Sequence, residues 1–260
     1  MEKRILGTIE VSAIGVGCMG FSHGYGDIPS EEYSIEAIQR AYHEAGCTFF
    51  DTAEAYGPNL LPENFGHNEM IVGKAVTSFR DQIVLATKLH LDAAEAQEFG
   101  LYDTVRRHLK TSLERLQTSY ADLYYLHRIN PVIPVEEVAE VMGKLIDEKL
   151  ICGWGLSQVP VETIDAAHKA CPVSAVQNIY SMVERGVETK VIPYCLKNNI
   201  GLVPFSPIAI ISAAVESEAP TWLRVLVSAV PCWITRFSSA FTPHVFIGVL
   251  QYCNAPKIIA

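Results

Sequence analysis

Four side chains in this sequence have the types and the spacing to protonate a carbonyl oxygen. Asp51 and Tyr56 lie five positions apart in FDTAEAYG (50–57), Lys88 falls in ATKL (86–89) and His127 in YYLHRIN (124–130). A phenol with an ordinary pKa of about 10 is a poor acid near neutrality, and a neighbouring ammonium stabilises the phenolate and lowers that value. Lys88 supplies such an ammonium, and Asp51 would hold it and offset the cost of burying its charge. His127 can donate a hydrogen bond to a carbonyl oxygen, which would then sit between imidazole and phenol. The set suits proton delivery to an oxygen that gains negative charge as hydride adds to its carbon. Taken singly each residue has a plainer use: a solvated loop lysine, a rim tyrosine, a histidine that caps a strand.

The chemistry needs elements that bring the four together, and the chain supplies a repeating pattern. Seven short apolar runs occur, at 13–19, 48–54, 82–89, 121–127, 151–157, 175–181 and 201–207. Helical patterns follow the first six, at 30–46, about 67–78, about 101–117, 135–149, 160–170 and 188–199, the first with Ser30 as N-cap and Gly46 as stop. Such alternation implies a parallel sheet covered on both faces. Either a doubly wound open sheet or a (β/α)8 TIM-type barrel fits. Asp51, Lys88, His127, Ser157, Gln177 and Ser206 fall at or near the C-terminal ends of six different runs. Those ends converge on one mouth in a barrel and spread along an edge in an open sheet, so the barrel is preferred. Residues 4–12, alternating around Gly7, read as an N-terminal β-hairpin that plugs the far end. The glycines of GVGCMG (15–20) imitate a dinucleotide fingerprint, but FSHGYGDIPS intervenes where that motif opens a helix.

Composition narrows the function classes. With 20 Lys+Arg against 29 Asp+Glu the chain has a formal charge of −9, and no basic run marks a nucleic-acid partner. The seven cysteines, at 18, 47, 152, 171, 195, 232 and 253, form no CxxC pair, so neither a metal site nor a paired disulfide framework is expected. Glycine and polar residues interrupt any signal-peptide core after MEKR, and no apolar stretch reaches membrane-spanning length. These features predict a soluble cytoplasmic protein with no membrane association; they leave its oligomeric state open.

FDTAEAYG, ATKL, YYLHR, GWGLSQ (153–158), AVQNIYS (175–181) and VPFSP (203–207) together resemble the strand-end motifs of the aldo-keto reductase superfamily, in its order and spacing, over residues 1–209. The resemblance implies a (β/α)8 barrel and NADPH-dependent reduction of aldehydes or ketones, with NADPH/NADP+ preferred to NADH. It maps the catalytic tetrad onto Asp51, Tyr56, Lys88 and His127, with Tyr56 as general acid. It also implies a cofactor site of Gly17, Cys18 and Met19 at the first strand end near the ribose, Asp51, Ser157 and Gln177, the last two on the carboxamide, Gln158 where many relatives carry Asn, Phe205 on the nicotinamide ring and Ser206 near the pyrophosphate. Substrate choice would lie in loops 21–29, 58–66, 90–100 and 128–134, with Phe21, Tyr25, Leu60, Leu61 and Phe65 offering apolar contact to a small-molecule carbonyl compound.

The resemblance stops near residue 209. Of the 49 charged residues only Glu216, Glu218, Arg224, Arg236 and Lys257 fall in the last 51 positions, and the family's glycine-rich phosphate loop, eighth strand and basic 2′-phosphate motif are not visible there. Residues 1–209 therefore read as a reductase barrel and 210–260 as an atypical tail, of the kind that truncation or a frameshift produces, leaving the eighth β/α unit incomplete or altered. HVFIGVL (244–250), or with less support VLVSAV (225–230), is the expected surrogate eighth strand. Weakened NADPH binding is expected, and two other functions stay open: a cofactor-binding regulatory or partner protein, and an altered fragment with weak or no activity.

Overall fold

Each of the first six apolar runs becomes a strand because it is bounded by turns and followed by a helix that covers it, and the seventh, 201–207, becomes a strand beside them. The computed structural model describes residues 1–23, 27–59, 61–181 and 184–207, together with the backbone of 248–251. After an antiparallel hairpin of β1 (Lys3–Leu6) and β2 (Ile9–Ser12) come β3 (Ile14–Gly17), α1 (Glu31–His43), β4 (Phe49–Asp51), α2 (His67–Val76) and β5 (Val84–Leu89). The chain continues through α3 (Ala93–Phe99), α4 (Leu101–Arg115), β6 (Ala121–Leu126), α5 (Val135–Asp147), β7 (Ile151–Ser157), α6 (Val161–Ala170), β8 (Ala175–Ile179), α7 (Val191–Lys197) and β9 (Gly201–Phe205). Strands β3 to β9 pair in sequence order, all parallel, and form a nearly closed barrel.

The expected local signals operate. The Ser30 hydroxyl accepts a hydrogen bond from the Tyr33 amide at 3.2 Å and starts α1, whose Ile38 is fully buried. Gly46, at φ +66°, turns the chain after α1 while its amide donates to the Tyr42 carbonyl. One outer core lies between α4, α5, α6 and the strands around Tyr124, Trp154 and Leu156; a second lies beneath α1 and α2 around Phe50, Ile71 and Leu85. Cys18, Cys47, Cys171 and Cys195 are buried free thiols, and Cys152 is exposed.

The hairpin closes the N-terminal end of the barrel. Leu6 and Val11 pack with Phe49, Val84, Leu123, Tyr125, Ala175 and Val203, the residues that fill the interior. Gly201 permits this approach, since a Cβ there would lie 2.1 Å from Leu6 Cδ2.

Two expectations need correction or completion. The segment 90–100, read as a substrate loop, carries α3, capped by the Asp92 carboxylate accepting from the Glu95 amide at 3.0 Å. None of its residues is buried, so no apolar stripe marks it as a helix. At the other end, Gly248–Gln251 forms β10, parallel to β3 with Gly248 opposite Ile14 and Gln251 opposite Gly17, and adjoining β9. It overlaps the expected surrogate strand 244–250; residues 244–247, the alternative 225–230 and the remainder of the 210–260 tail lie outside the described residues. Among the described residues no helix is long and apolar enough to cross a membrane.

Candidate active site

The C-terminal ends of the strands enclose a cavity of about 250 Å³. Gly17, Met19 and His23 line it from the β3 side, Asp51 and Tyr56 from β4 and its loop, and His127 and Arg128 from β6. Ser157, Gln177, Phe205 and Ser206 complete it from β7, β8 and β9.

Lys88 organises the centre. Its side chain is 0% exposed, yet Nζ donates to Asp51 Oδ1, to the Thr52 carbonyl at 2.7 Å and to Tyr56 Oη at 3.2 Å. Burial works against the charge, but the Asp51 carboxylate and the Tyr56 oxygen together outweigh it and hold the ammonium above the ordinary lysine value. Gln177 Nε2 donates to the other carboxylate oxygen, Asp51 Oδ2, at 2.9 Å. Both oxygens of Asp51, the only acidic residue lining the cavity among the described residues, are thus engaged.

Tyr56 stands between Lys88 and His127. The His127 ring meets it edge-on with centroids 5.5 Å apart, and His23 approaches from another side at the same distance. The expectation that Lys88 would lower the Tyr56 pKa is corrected in net effect. Burial pushes the phenol up, Lys88 pulls it down, and burial wins, so Tyr56 holds its proton at neutral pH. Burial, then Lys88 and Arg128, bring the His127 pKa down to about 2. Its imidazole is neutral and offers one N–H without a charge.

The loop bearing Tyr56 is pinned from below. The Asn68 amide donates to the Tyr56 carbonyl at 3.1 Å and the Gly66 amide to the Glu54 carbonyl at 2.6 Å. The Asn68 side chain donates to the Cys18 carbonyl and to Ser22 Oγ, both at 2.8 Å, and accepts from Thr52 Oγ1 at 2.6 Å. Buried Glu54 accepts from the His90 amide and from His108 Nδ1 at 2.8 Å, while His108 Nε2 reaches Glu95 at 2.8 Å. Bonds to Glu54, with the Glu95 charge also favouring protonation, raise the His108 pKa to about 9 against the cost of burial. An imidazolium therefore links α4 to α3 and to the Tyr56 loop.

The structure brings Asp51, Tyr56, Lys88 and His127 to one mouth, together with Gly17, Met19, Ser157, Gln177, Phe205 and Ser206. Two residues mapped to the cofactor site do not line it. The Cys18 side chain is fully buried with Ile38 and Phe50, because the 3-10 turn Cys18–Phe21 rotates it inward, and burial pushes its thiol pKa far up. The exposed Gln158 side chain caps the neighbouring strand, Oε1 accepting from the Ile179 amide at 2.9 Å. Of the apolar loop residues, Phe21 is core, Leu61 is exposed and Phe65 packs edge-on against His90; Tyr25 and Leu60 lie outside the described residues. Sequence reasoning missed His23 and Arg128. For Arg128 the available signal was its place directly after His127 at a strand end.

The cavity has features that suit a nicotinamide. Ser157 and Gln177 are polar, buried and aimed into it, with Phe205 beside them. Ser157 Oγ accepts from Arg128 Nη1 at 3.0 Å and keeps its own hydrogen to donate. Among the described residues no cluster of His, Cys, Asp or Glu could hold a metal ion.

Comparison with known proteins gives a consistent result. The sequence profile described as "Aldo/keto reductase family" matches residues 13–220. The chain is 38% identical over 209 residues to a Glycine max protein named "Probable aldo-keto reductase 1", covering 78% of this chain and 58% of that protein. It is 40% identical over 196 residues to "Aldo-keto reductase YhdN" of Bacillus subtilis, covering 74% of this chain and 57% of that one. The chain thus spans less than three-fifths of the length of these curated relatives. Among solved structures, an aldo/keto reductase from Klebsiella pneumoniae in complex with NADP and acetate superposes with a TM-score of 0.74 at 25% identity, covering 97% of this chain and 86% of that chain. The holo form of an aldo-keto reductase from Bacillus halodurans gives 0.72 at 26% identity, covering 96% and 87%.

Proposed function

The chain belongs to the aldo/keto reductase family, and from that premise we propose that it reduces small aldehydes or ketones to alcohols with NADPH, using Tyr56 as the proton donor. The observation that carries the proposal is the buried Lys88 ammonium bound at once to Asp51, the Thr52 carbonyl and the Tyr56 hydroxyl, with neutral His127 facing the same phenol.

NADPH, when bound, supplies a hydride from the nicotinamide ring to the carbonyl carbon. Gln177 and the Ser157 hydroxyl would hold the carboxamide, and Phe205 would cover one face of the ring. His127 then donates its N–H to the substrate oxygen and fixes it near Tyr56 Oη. Tyr56, protonated at neutral pH, delivers its proton to that oxygen as charge develops on it. Lys88 stabilises the phenolate left behind, and Asp51 keeps Lys88 charged and in place. The family's basic 2′-phosphate motif is not visible in the sequence of 210–260, so NADPH preference over NADH is part of the proposal.

The test is a titration of purified protein with NADPH followed by tryptophan fluorescence, then addition of an aromatic aldehyde while reduced-nicotinamide absorbance is recorded. Saturable binding followed by loss of absorbance is expected. Binding without turnover would overturn the reductase assignment and favour the cofactor-binding partner protein.

A further inference from the structure

We propose that the cavity selects carbonyl compounds bearing an acidic group, with Arg128 as the anchor for that group. The inference rests on the reductase assignment of the same cavity and specifies its substrate class.

Arg128 is the exception among the arginines. Of the eight in the described residues, Arg4, Arg40, Arg80, Arg106, Arg107, Arg115 and Arg185 each have a carboxylate within 4.0 Å, namely Glu2, Glu44, Asp122, Glu148, Glu95, Glu69 and Glu188. Arg128 has none among the described residues. Its Nη1 donates to the His127 carbonyl at 2.5 Å and to Ser157 Oγ at 3.0 Å, two neutral acceptors. The remaining N–H groups of a guanidinium form a fork that matches a carboxylate or phosphate.

The charge balance of the cavity agrees. Among the described residues Asp51 is the one acid lining it, and its charge is matched by Lys88. Among those same residues Arg128 is the lining cation with no matching acid, and such a charge attracts an anion and raises its local concentration. The two acceptors on Nη1 belong to the ends of β6 and β7, so the guanidinium is tethered to the strands beside the His127 ring that faces Tyr56. A compound with its acidic group on Arg128 has its carbonyl directed toward those two residues. The described apolar lining is confined to Met19 and Phe205, both mapped to the cofactor side, which leaves the expected apolar substrate wall without support among the described residues.

The test uses a matched pair, 4-carboxybenzaldehyde and its methyl ester, with wild type and Arg128→Met. Wild type should show a kcat/KM about tenfold or more higher for the acid, and the variant should bring the ratio to about one, as expected for one charge-assisted contact at an exposed guanidinium. Binding of the unreactive 4-(hydroxymethyl)benzoate, measured by calorimetry, should weaken about tenfold in the variant. An unchanged ratio with equal loss on both aldehydes, or a loss confined to NADPH affinity, overturns the proposal and assigns Arg128 to the cofactor. Arg128-dependent benzoate binding in a protein that reduces neither aldehyde would instead refute the reductase assignment and leave the anion site standing.

Discussion

Replacing Asp51 by Asn removes one charge from the centre of the mouth and changes little of its shape. Lys88 Nζ would then be left with neutral acceptors alone, the amide oxygen of the new side chain, the Thr52 carbonyl at 2.7 Å and Tyr56 Oη at 3.2 Å, at 0% exposure and with no counter-charge. Breaking a buried pair by removing one partner costs about 3–5 kcal/mol. The surviving neutral acceptors place Asp51→Asn toward the lower end of that range. Lys88→Met is the mirror case, leaving the Asp51 carboxylate with Gln177 Nε2 at 2.9 Å. Combining the two removes both charges, so the double variant should be more stable than the sum of the single losses by about 2 kcal/mol or more. Urea unfolding of the wild type, both single variants and the double, with the slopes checked for constancy, measures this coupling. The double variant should recover stability and remain inactive, which separates the structural use of the pair from its chemistry. An Asp51→Asn protein within about 1 kcal/mol of wild type, or strictly additive losses, would show that water reaches the pair and refute the argument.

Other consequences are open to measurement. Because the folded His108 pKa is about 9, above the ordinary 6.5, its contribution to stability is fully present below pH 6.5 and is lost as pH rises through 9; His108→Gln should flatten the fall in Tm over that window, and an unchanged fall would assign it to other groups. Gly201→Ala would drive a methyl against Leu6 Cδ2, at 2.1 Å, and the Leu6 backbone, at 2.9 Å; a loss of about 1–3 kcal/mol is expected from the overpacking, and a variant with wild-type urea resistance would contradict the tight seating of the hairpin.

What was legible in the sequence was what a strand end makes visible. Asp51, Lys88, His127, Ser157 and Gln177 each fall at or near the end of an apolar run, and parallel barrel geometry alone brings such positions together. The hairpin was legible from its alternation about Gly7, and Leu6 and Val11 bury as that pattern implies. The part of α3 was illegible for a physical reason: none of its residues is fully buried and only Ala96 packs against the core, so it has no apolar period to read. Cys18 and Phe21 were misplaced because a 3-10 turn follows β3 and rotates both side chains into the core. The bond between Glu54 and His108 spans 54 positions and follows no local spacing rule. Arg128 drew no separate reading from the sequence, and its lack of a carboxylate partner among the described residues is visible only when the other arginines are seen paired. The direction of the Tyr56 shift was misjudged because the ammonium beside it is evident from residue types, whereas the depth of its burial is a property of the assembled mouth.

The central claim is that Tyr56 delivers the proton while other groups hold the cofactor. Tyr56→Phe removes one hydroxyl from a ring whose packing against His127 and His23 survives. Stopped-flow absorbance with NADPH and an aromatic aldehyde, run beside a fluorescence titration of NADPH, should show reduction lost by three orders of magnitude or so, in keeping with the usual ~10²–10⁴-fold worth of a positioned acid, while the NADPH affinity stays near that of wild type. Reduction within a few-fold of wild type, or equal loss of binding and turnover, would contradict the assignment.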